Sequence, residues 1–335
     1  MDDKDRQKLI DEIVARVDRE NQKYMHHTAL PHIEAVSGAG QHGLNSKLDD
    51  LLVLQAKDLI ARQSAAQPDR LHDIEFRVFS QFGEDGILQY LIRESGIGPG
   101  EETFIEFGVE NYREANTRFL LINNHWRGLV MDGSEANVAT IRADDIYWRA
   151  DLTAVHAWID RDNINELITN AGFAGNIGLL SIDIDGNDYW VWERIDAVNP
   201  VIVAVEWNGA YGPDHAVSIP YDPAFHRGEA HYSHLYWGAS ISAFEHLARK
   251  KGYRLVGSNG VGNNIFFVRE DRLGRLKALT PREAFVEPKF RDSRDENGNL
   301  TFLSGQARRD MISHLPLINV KSGAETTLEQ LMQDS

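Results

Sequence analysis

The sequence predicts an α/β fold in which a mostly parallel sheet is wrapped by helices and finishes in one antiparallel strand. Three observations predict it. From residue 76 onward, short apolar runs alternate with amphipathic stretches, the rhythm of strand–helix–strand units with right-handed crossovers. The longest apolar run, around residues 200–207, has the length and composition of a buried strand. The last two runs, 253–257 and 264–268, are joined only by Ser258-Asn259-Gly260-Val261-Gly262-Asn263, which leaves no room for a helix and so predicts an antiparallel hairpin.

In chain order, residues 3–25 carry Leu9, Ile10, Ile13, Val14 and Val17 at helical spacing opposite a charged face. Pro31, Gly38, Gly40 and Gly43 break that pattern, and a second helix is expected over 47–63, closed by Pro68. Neither helix can bury its stripe alone. They read either as a homo-oligomerisation arm or as an extension packed on the main domain. Strands are then expected at 103–107, 128–131, 147–149, 178–183, 201–206, 253–257 and 264–268. Helices are expected near 82–96, 116–123, 135–142, 155–170, 189–195 and 240–251. Beyond about 271 the chain turns polar, with 292–299 a loop. The expected organisation is a helical extension over 1–75, a main domain over 76–270 and a polar, partly helical tail over 271–335.

Composition narrows the function. The 335 residues are 42% hydrophobic and 26% charged, ordinary values for a chain with a sizeable core. No apolar run reaches the length that spans a bilayer, and the charged N-terminus has no signal-peptide stretch. A cytoplasmic location is the expectation. The absence of cysteine excludes disulfides, thiolate zinc sites and a cysteine nucleophile. A net charge of −16 repels nucleic acid, so the expected partner is a small-molecule or sugar acceptor.

Ligands of such sheets sit beyond the carboxyl ends of the strands. The first strand runs into Phe104-Ile105-Glu106-Phe107-Gly108-Val109-Glu110-Asn111. Gly108 would let backbone approach a ligand closely, and Glu106 would hold a cationic aminoacyl group. Asn111 completes the candidates of this segment. The missing Gly-x-Gly-x-x-Gly argues against a nicotinamide dinucleotide. Asp132, ending the second strand, is placed either to accept ribose hydroxyls or to cap a helix. Asp151, after the expected third strand, is placed to reach an adenine amino group.

The densest cluster is Asp183-Ile184-Asp185-Gly186-Asn187-Asp188. Like charges crowded at a strand end raise one another's pKa, so they persist where they share a proton, a metal or a cationic partner. With Glu206 and Asn208 on the next strand, Asp183 and Asp185 form an all-oxygen set suited to Mg²⁺ or Mn²⁺. Such an ion would orient a diol and acidify the hydroxyl to be modified. The plainer reading is a turn and helix cap. Asp188, His231 and His234 are the candidate general bases, the two histidines lying in an insertion rich in Tyr and Trp.

Taken in series, these residues resemble the FkbM-type methyltransferases. The likeness is carried by Ser80-Gln81-Phe82-Gly83-Glu84-Asp85-Gly86-Ile87-Leu88, the Glu106–Asn111 segment, Trp126-Arg127-Gly128-Leu129-Val130-Met131-Asp132-Gly133, the 181–188 segment, Tyr236-Trp237-Gly238-Ala239-Ser240 and Gly252-Tyr253-Arg254-Leu255-Val256-Gly257. It covers roughly 76–270. The resemblance implies a Rossmann-like class I methyltransferase fold, S-adenosylmethionine as cofactor, and O-methylation of a sugar or secondary metabolite, often in polysaccharide biosynthesis. It places Gly108 and Asp132 against the cofactor, with Gln81 and Glu84 closing over it. The chain departs from the family at Ile184-Asp185-Gly186-Asn187-Asp188, where Val-Glu-Gly is common, and at Glu110-Asn111-Tyr112, where a second glycine is usual. The first departure brings it nearer to metal-dependent catechol and macrolide-sugar methyltransferases. Two other functions fit parts of the sequence. Asp183-Ile184-Asp185 is the Asp-x-Asp of metal-dependent nucleotide-sugar glycosyltransferases, and the fold alone would serve a non-catalytic cofactor-binding scaffold.

Overall fold

The computed structural model describes residues 47–63 and 67–333, so the helix expected over 3–25 lies outside the described residues. Among the described residues, 47–57 belong to one compact unit and those from 58 onward to a second. Residues 47–62 are helical, and Leu48, Leu51, Leu52 and Leu54 along them are exposed.

The second unit is built on a seven-stranded sheet. Its strands are β1 (Thr103–Phe107), β2 (Arg127–Asp132), β3 (Leu152–His156), β4 (Gly175–Ile182), β5 (Val198–Glu206), β7 (Tyr253–Ser258) and β8 (Asn264–Arg269). Their order is β3-β2-β1-β4-β5-β8-β7, parallel from β3 to β5, with β8 antiparallel to both of its neighbours. This is the expected Rossmann-like arrangement. The chain winds outward from β1 through β2 to β3 and then crosses back to β4, so a crevice opens above β1 and β4 at the carboxyl ends.

Alternation along the strands divides the core between the two sheet faces. Ile105, Phe107, Leu129, Met131 and Val203 face one layer, with Trp192 and Phe244. Phe104, Val130, Leu179, Ile202 and Phe266 face the other, with Leu120. Helix starts follow the capping residues. Ser134 accepts from Asn137 N–H ahead of the helix Glu135–Ala143, and Ser240 accepts from Ala243 N–H ahead of Ile241–Lys250. The helix Glu84–Ser95 ends where Gly96 turns left-handed at φ 63°.

Two expectations fail locally. Residues 147–149, expected as a strand, belong to the short helix Ile146–Arg149, and the third strand is Leu152–His156. The helix expected over 155–170 is shortened to Ile164–Asn170. The physical reason is the same for both: Ala150 ends the short helix, and Leu152 and Ala154 then turn into the core beside β2.

Beyond β5, the insertion and the tail fold together. β6 (Val217–Ser218) pairs with β9 (Leu317–Asn319), which pairs with β10 (Glu325–Thr326). Behind this small sheet Tyr211, Val217, Ile219 and Leu235 from the insertion pack with Ile312, Leu317 and Leu328 from the tail.

Candidate active site

A cleft of about 400 Å³ lies at the carboxyl ends of β1, β2, β4 and β5, lined among others by Gln81, Phe82, Glu106, Gly108, Asp132, Trp158, Asp183, Asp185, Glu206, Phe225, Arg227 and Phe290. Its size is that of a small-molecule site.

At the β1 end, Glu106 is buried. It accepts from the N–H groups of Asn116 (2.9 Å) and Thr117 (3.1 Å) and from the Thr117 hydroxyl (2.5 Å). Its carboxylate therefore holds the loop after β1 in place, and burial pushes its pKa up to about 7 against those bonds. Gly108 has φ 71°, and a Cβ there would stand 1.6 Å from the carbonyl oxygen of Asp183. Sequence reasoning assigned this glycine to a ligand's approach; the closest backbone is that of the neighbouring strand. Asp132 lines the cleft and accepts from Glu110 N–H (2.8 Å), Ser134 N–H (2.8 Å) and the Asn137 side chain (3.0 Å). The cap of the helix Glu135–Ala143 is Ser134, so Asp132 does not cap it; its bonds hold the loops after β1 and β2 at the cleft.

Across the cleft, Asp183, Asp185 and Glu206 each bring one carboxylate oxygen within 4.8 Å of the others. The Asp183 and Glu206 carboxyls face each other across the ends of β4 and β5. Burial first, and then neighbouring carboxylates (Asp185 for Asp183, Asp183 for Glu206), hold both well above the ordinary carboxylate range. Glu206 Oε2 is buried and has no hydrogen-bond partner. Asp185 sits in a left-handed turn at φ 55° and pairs with Arg227 at 2.6 Å. Arg227 is fixed by the His234 carbonyl and lies 4.8 Å over the Trp237 ring. Hard oxygen donors, one of them orphaned, are a donor set that fits a divalent cation.

Several expected residues stand elsewhere. Asn208 is buried away from the cleft lining: it accepts from Ala210 N–H and donates to the carbonyls of Leu235 and Trp237, which ties the insertion to the end of β5. Asp188 accepts from Ile184 and Gly186 N–H, closing the turn ahead of the helix Asp188–Arg194. It is absent from the cleft lining, and burial lifts its pKa to about 6. His231 binds Ser233 and packs on Tyr232, and neither it nor His234 lines the cleft. Burial, then the charge of His314, lowers the His231 pKa. Glu84 accepts from Phe82 N–H, Asn259 and Asn264, tying the helix Glu84–Ser95 to the β7–β8 hairpin, while Gln81 does line the cleft. Asn111 is exposed and accepts from Arg113 N–H in its own turn. Asp151 precedes β3, at the end of the sheet opposite the cleft, 3.9 Å from Arg127.

Sequence reasoning missed Arg227, Trp158 and Phe290. Arg227 comes from the insertion, Phe290 from the tail, and Trp158 from just beyond the true third strand. The signal for Trp158 was available: it follows the carboxyl end of the alternating segment 152–156.

No family model matches the chain, and no curated protein matches it in sequence. Among solved structures it is similar to a SAM-dependent methyltransferase from Aquifex aeolicus, with 10% identity over 56% of this chain and 88% of that one and a TM-score of 0.33. It is similar to an O-methyltransferase from Bacillus cereus in complex with SAH, with 13% identity over 65% of this chain and 90% of that one and a TM-score of 0.35. It is also similar to an O-methyltransferase from Streptomyces achromogenes involved in tomaymycin synthesis, in complex with SAM, with 11% identity over 63% of this chain and 95% of that one and a TM-score of 0.36.

Proposed function

We propose that the chain is an S-adenosylmethionine-dependent O-methyltransferase for a small hydroxylated acceptor, with Asp183, Asp185 and Glu206 holding a divalent ion. One observation carries the reading. Residues at the ends of four adjacent strands, Glu106, Asp132, Asp183 and Glu206, converge on one cleft at the switch point of the sheet. Asp132 keeps acceptor capacity on oxygens already steered by three donors, which suits it to ribose hydroxyls. Gln81 and Phe82 border the same space.

The cofactor supplies an electrophilic methyl group, and the metal a positive charge that acidifies the acceptor hydroxyl. The chain's own contribution is placement: most of the rate comes from holding oxygen, methyl and sulfur in line. Arg227 compensates the charge of Asp185, so the three carboxylates can stand together before any ion arrives. Without a histidine in the cleft lining, the carboxylate cluster is the nearest set of groups able to take the hydroxyl proton.

Titration calorimetry with S-adenosylhomocysteine, with and without Mg²⁺, tests this. Micromolar binding is expected for the wild type and for Asp183→Ala, with methyl transfer lost in the variant. No binding in either condition overturns the reading, and binding of UDP with Mn²⁺ instead would favour a nucleotide-sugar transferase.

A further inference from the structure

We infer that Arg227 is a tethered counter-ion that a divalent ion must displace from Asp185, so that loading the carboxylate cluster unlatches the segment 226–232 from the cleft wall. The inference rests on the reading of Asp183, Asp185 and Glu206 as a metal site. Arg227 Nη1 stands 2.6 Å from Asp185 Oδ1, and Asp185 is one of the three carboxylates within 4.8 Å of one another. Among the described residues lining the cleft, Arg227 is the one cation, against Glu106, Glu110, Glu114 and Asp132 besides the cluster. A guanidinium therefore already occupies the place where positive charge is wanted. A divalent ion bonded to Asp185 would stand close to it, and like charges at such range repel strongly away from bulk water.

This pair is built unlike an ordinary surface bridge. Arg149 and Asp145 lie one helical turn apart and both are half exposed. Arg227 and Asp185 lie 42 positions apart, and the arginine side chain is 17% exposed where that of Asp185 is 58% exposed. The Asp185 end is thus open to an ion from solvent while Arg227 is still in place. The backbone that carries Arg227 has little else to hold it. No residue of the short helix Arg227–Ala230 is buried, and His226, Gly228, Glu229 and Ala230 are exposed. Among the described residues, Arg227 is the one side chain of 226–230 that bonds outside that segment. Its other contacts, the His234 carbonyl and the Trp237 ring, belong to the insertion itself, so Asp185 is its tie to the end of β4. A segment with a solvated backbone and few buried contacts opens locally at low cost. Releasing Arg227 from Asp185 opens the cleft beside the cluster, so the ion enters before the acceptor.

Calorimetric titration of the full chain with Mg²⁺ alone, on wild type, Arg227→Gln and Arg227→Lys, tests the competition. Arg227→Gln should bind Mg²⁺ about tenfold more tightly than wild type, and Arg227→Lys, which keeps the charge, close to wild type. Equal or weaker binding by Arg227→Gln overturns the counter-ion and leaves the metal site standing. Tightening as large in Arg227→Lys as in Arg227→Gln does the same. No Mg²⁺ binding by any of the three overturns the metal reading, and the inference with it. Hydrogen exchange on wild type needs no variant: the amides of 226–232 should exchange faster in Mg²⁺ than in chelator, and exchange unchanged or slowed by Mg²⁺ refutes the latch.

Discussion

Glu206 shows what it costs to crowd carboxyls at one end of a sheet. Its Oε2 is buried without a donor, and its neighbour Asp183 is another carboxyl. Such a group persists where something positive completes it, because an unsatisfied buried polar atom costs about 1–3 kcal/mol. Replacing it with an amide gives Asp183 a permanent donor and removes one charge from the cluster. Glu206→Gln should therefore melt higher than wild type in chelator, and Mg²⁺ should no longer raise its melting temperature as it raises that of wild type. A thermal shift series with and without Mg²⁺ measures both, and an undiminished Mg²⁺ effect in the variant would place the ion elsewhere. At this scale Asp183, Asp185 and Glu206 were legible, because carboxylates at the end of an apolar strand have few structural excuses. Asp188 and Asn208 were not separable from them. Their side chains look identical in sequence, and only the fold shows that backbone N–H and carbonyl groups already occupy them.

Among the elements, strands were easier to place than their ends. β1 begins and ends where its apolar run does, and β2, β5, β7 and β8 differ from theirs by a few residues at most. β3 was misplaced because Tyr147 and Trp148 have the composition of a strand, yet a single helical turn leaves Trp148 on the surface and spends none of the core. That error moved the expected adenine contact to Asp151 at the wrong end of the sheet. Gly108 is the element-scale test of the junction between β1 and β4. Any side chain there meets the Asp183 carbonyl and must adopt φ near 71°, a region L residues avoid. Gly108→Ala should lower stability by about 3 kcal/mol or more, read as a fall in the denaturation midpoint, since strand β4 has to move. A variant as stable as wild type would mean that the two strands separate freely, contrary to the close approach seen between them.

For the whole molecule, the boundary suggested by the sequence likeness near residue 270 cuts through a shared core. Tyr211, Val217, Ile219 and Leu235 are covered by Ile312, Leu317 and Leu328, and Phe285 packs against Trp207 at 5.4 Å, next to Glu206. None of this was legible, since the tail's apolar residues are sparse and find their partners some 100 positions earlier in the chain, through β6 and β9. The tail also reaches the cleft directly, as Phe290 meets Phe82 at 6.3 Å. Burying three aliphatic side chains is worth roughly 1.5–3 kcal/mol each, which together approaches the total stability of a typical domain, about 5–15 kcal/mol. A chain stopped after residue 270 should therefore be recovered mostly insoluble, or should bind a hydrophobic dye strongly, and should lose affinity for S-adenosylhomocysteine. The measurement is soluble yield and dye fluorescence beside the full chain. A truncated protein that stays soluble, melts cooperatively and binds the nucleoside as tightly would show that the strand-end cleft stands without its cap, and would move the tail's purpose from holding the site to choosing what enters it.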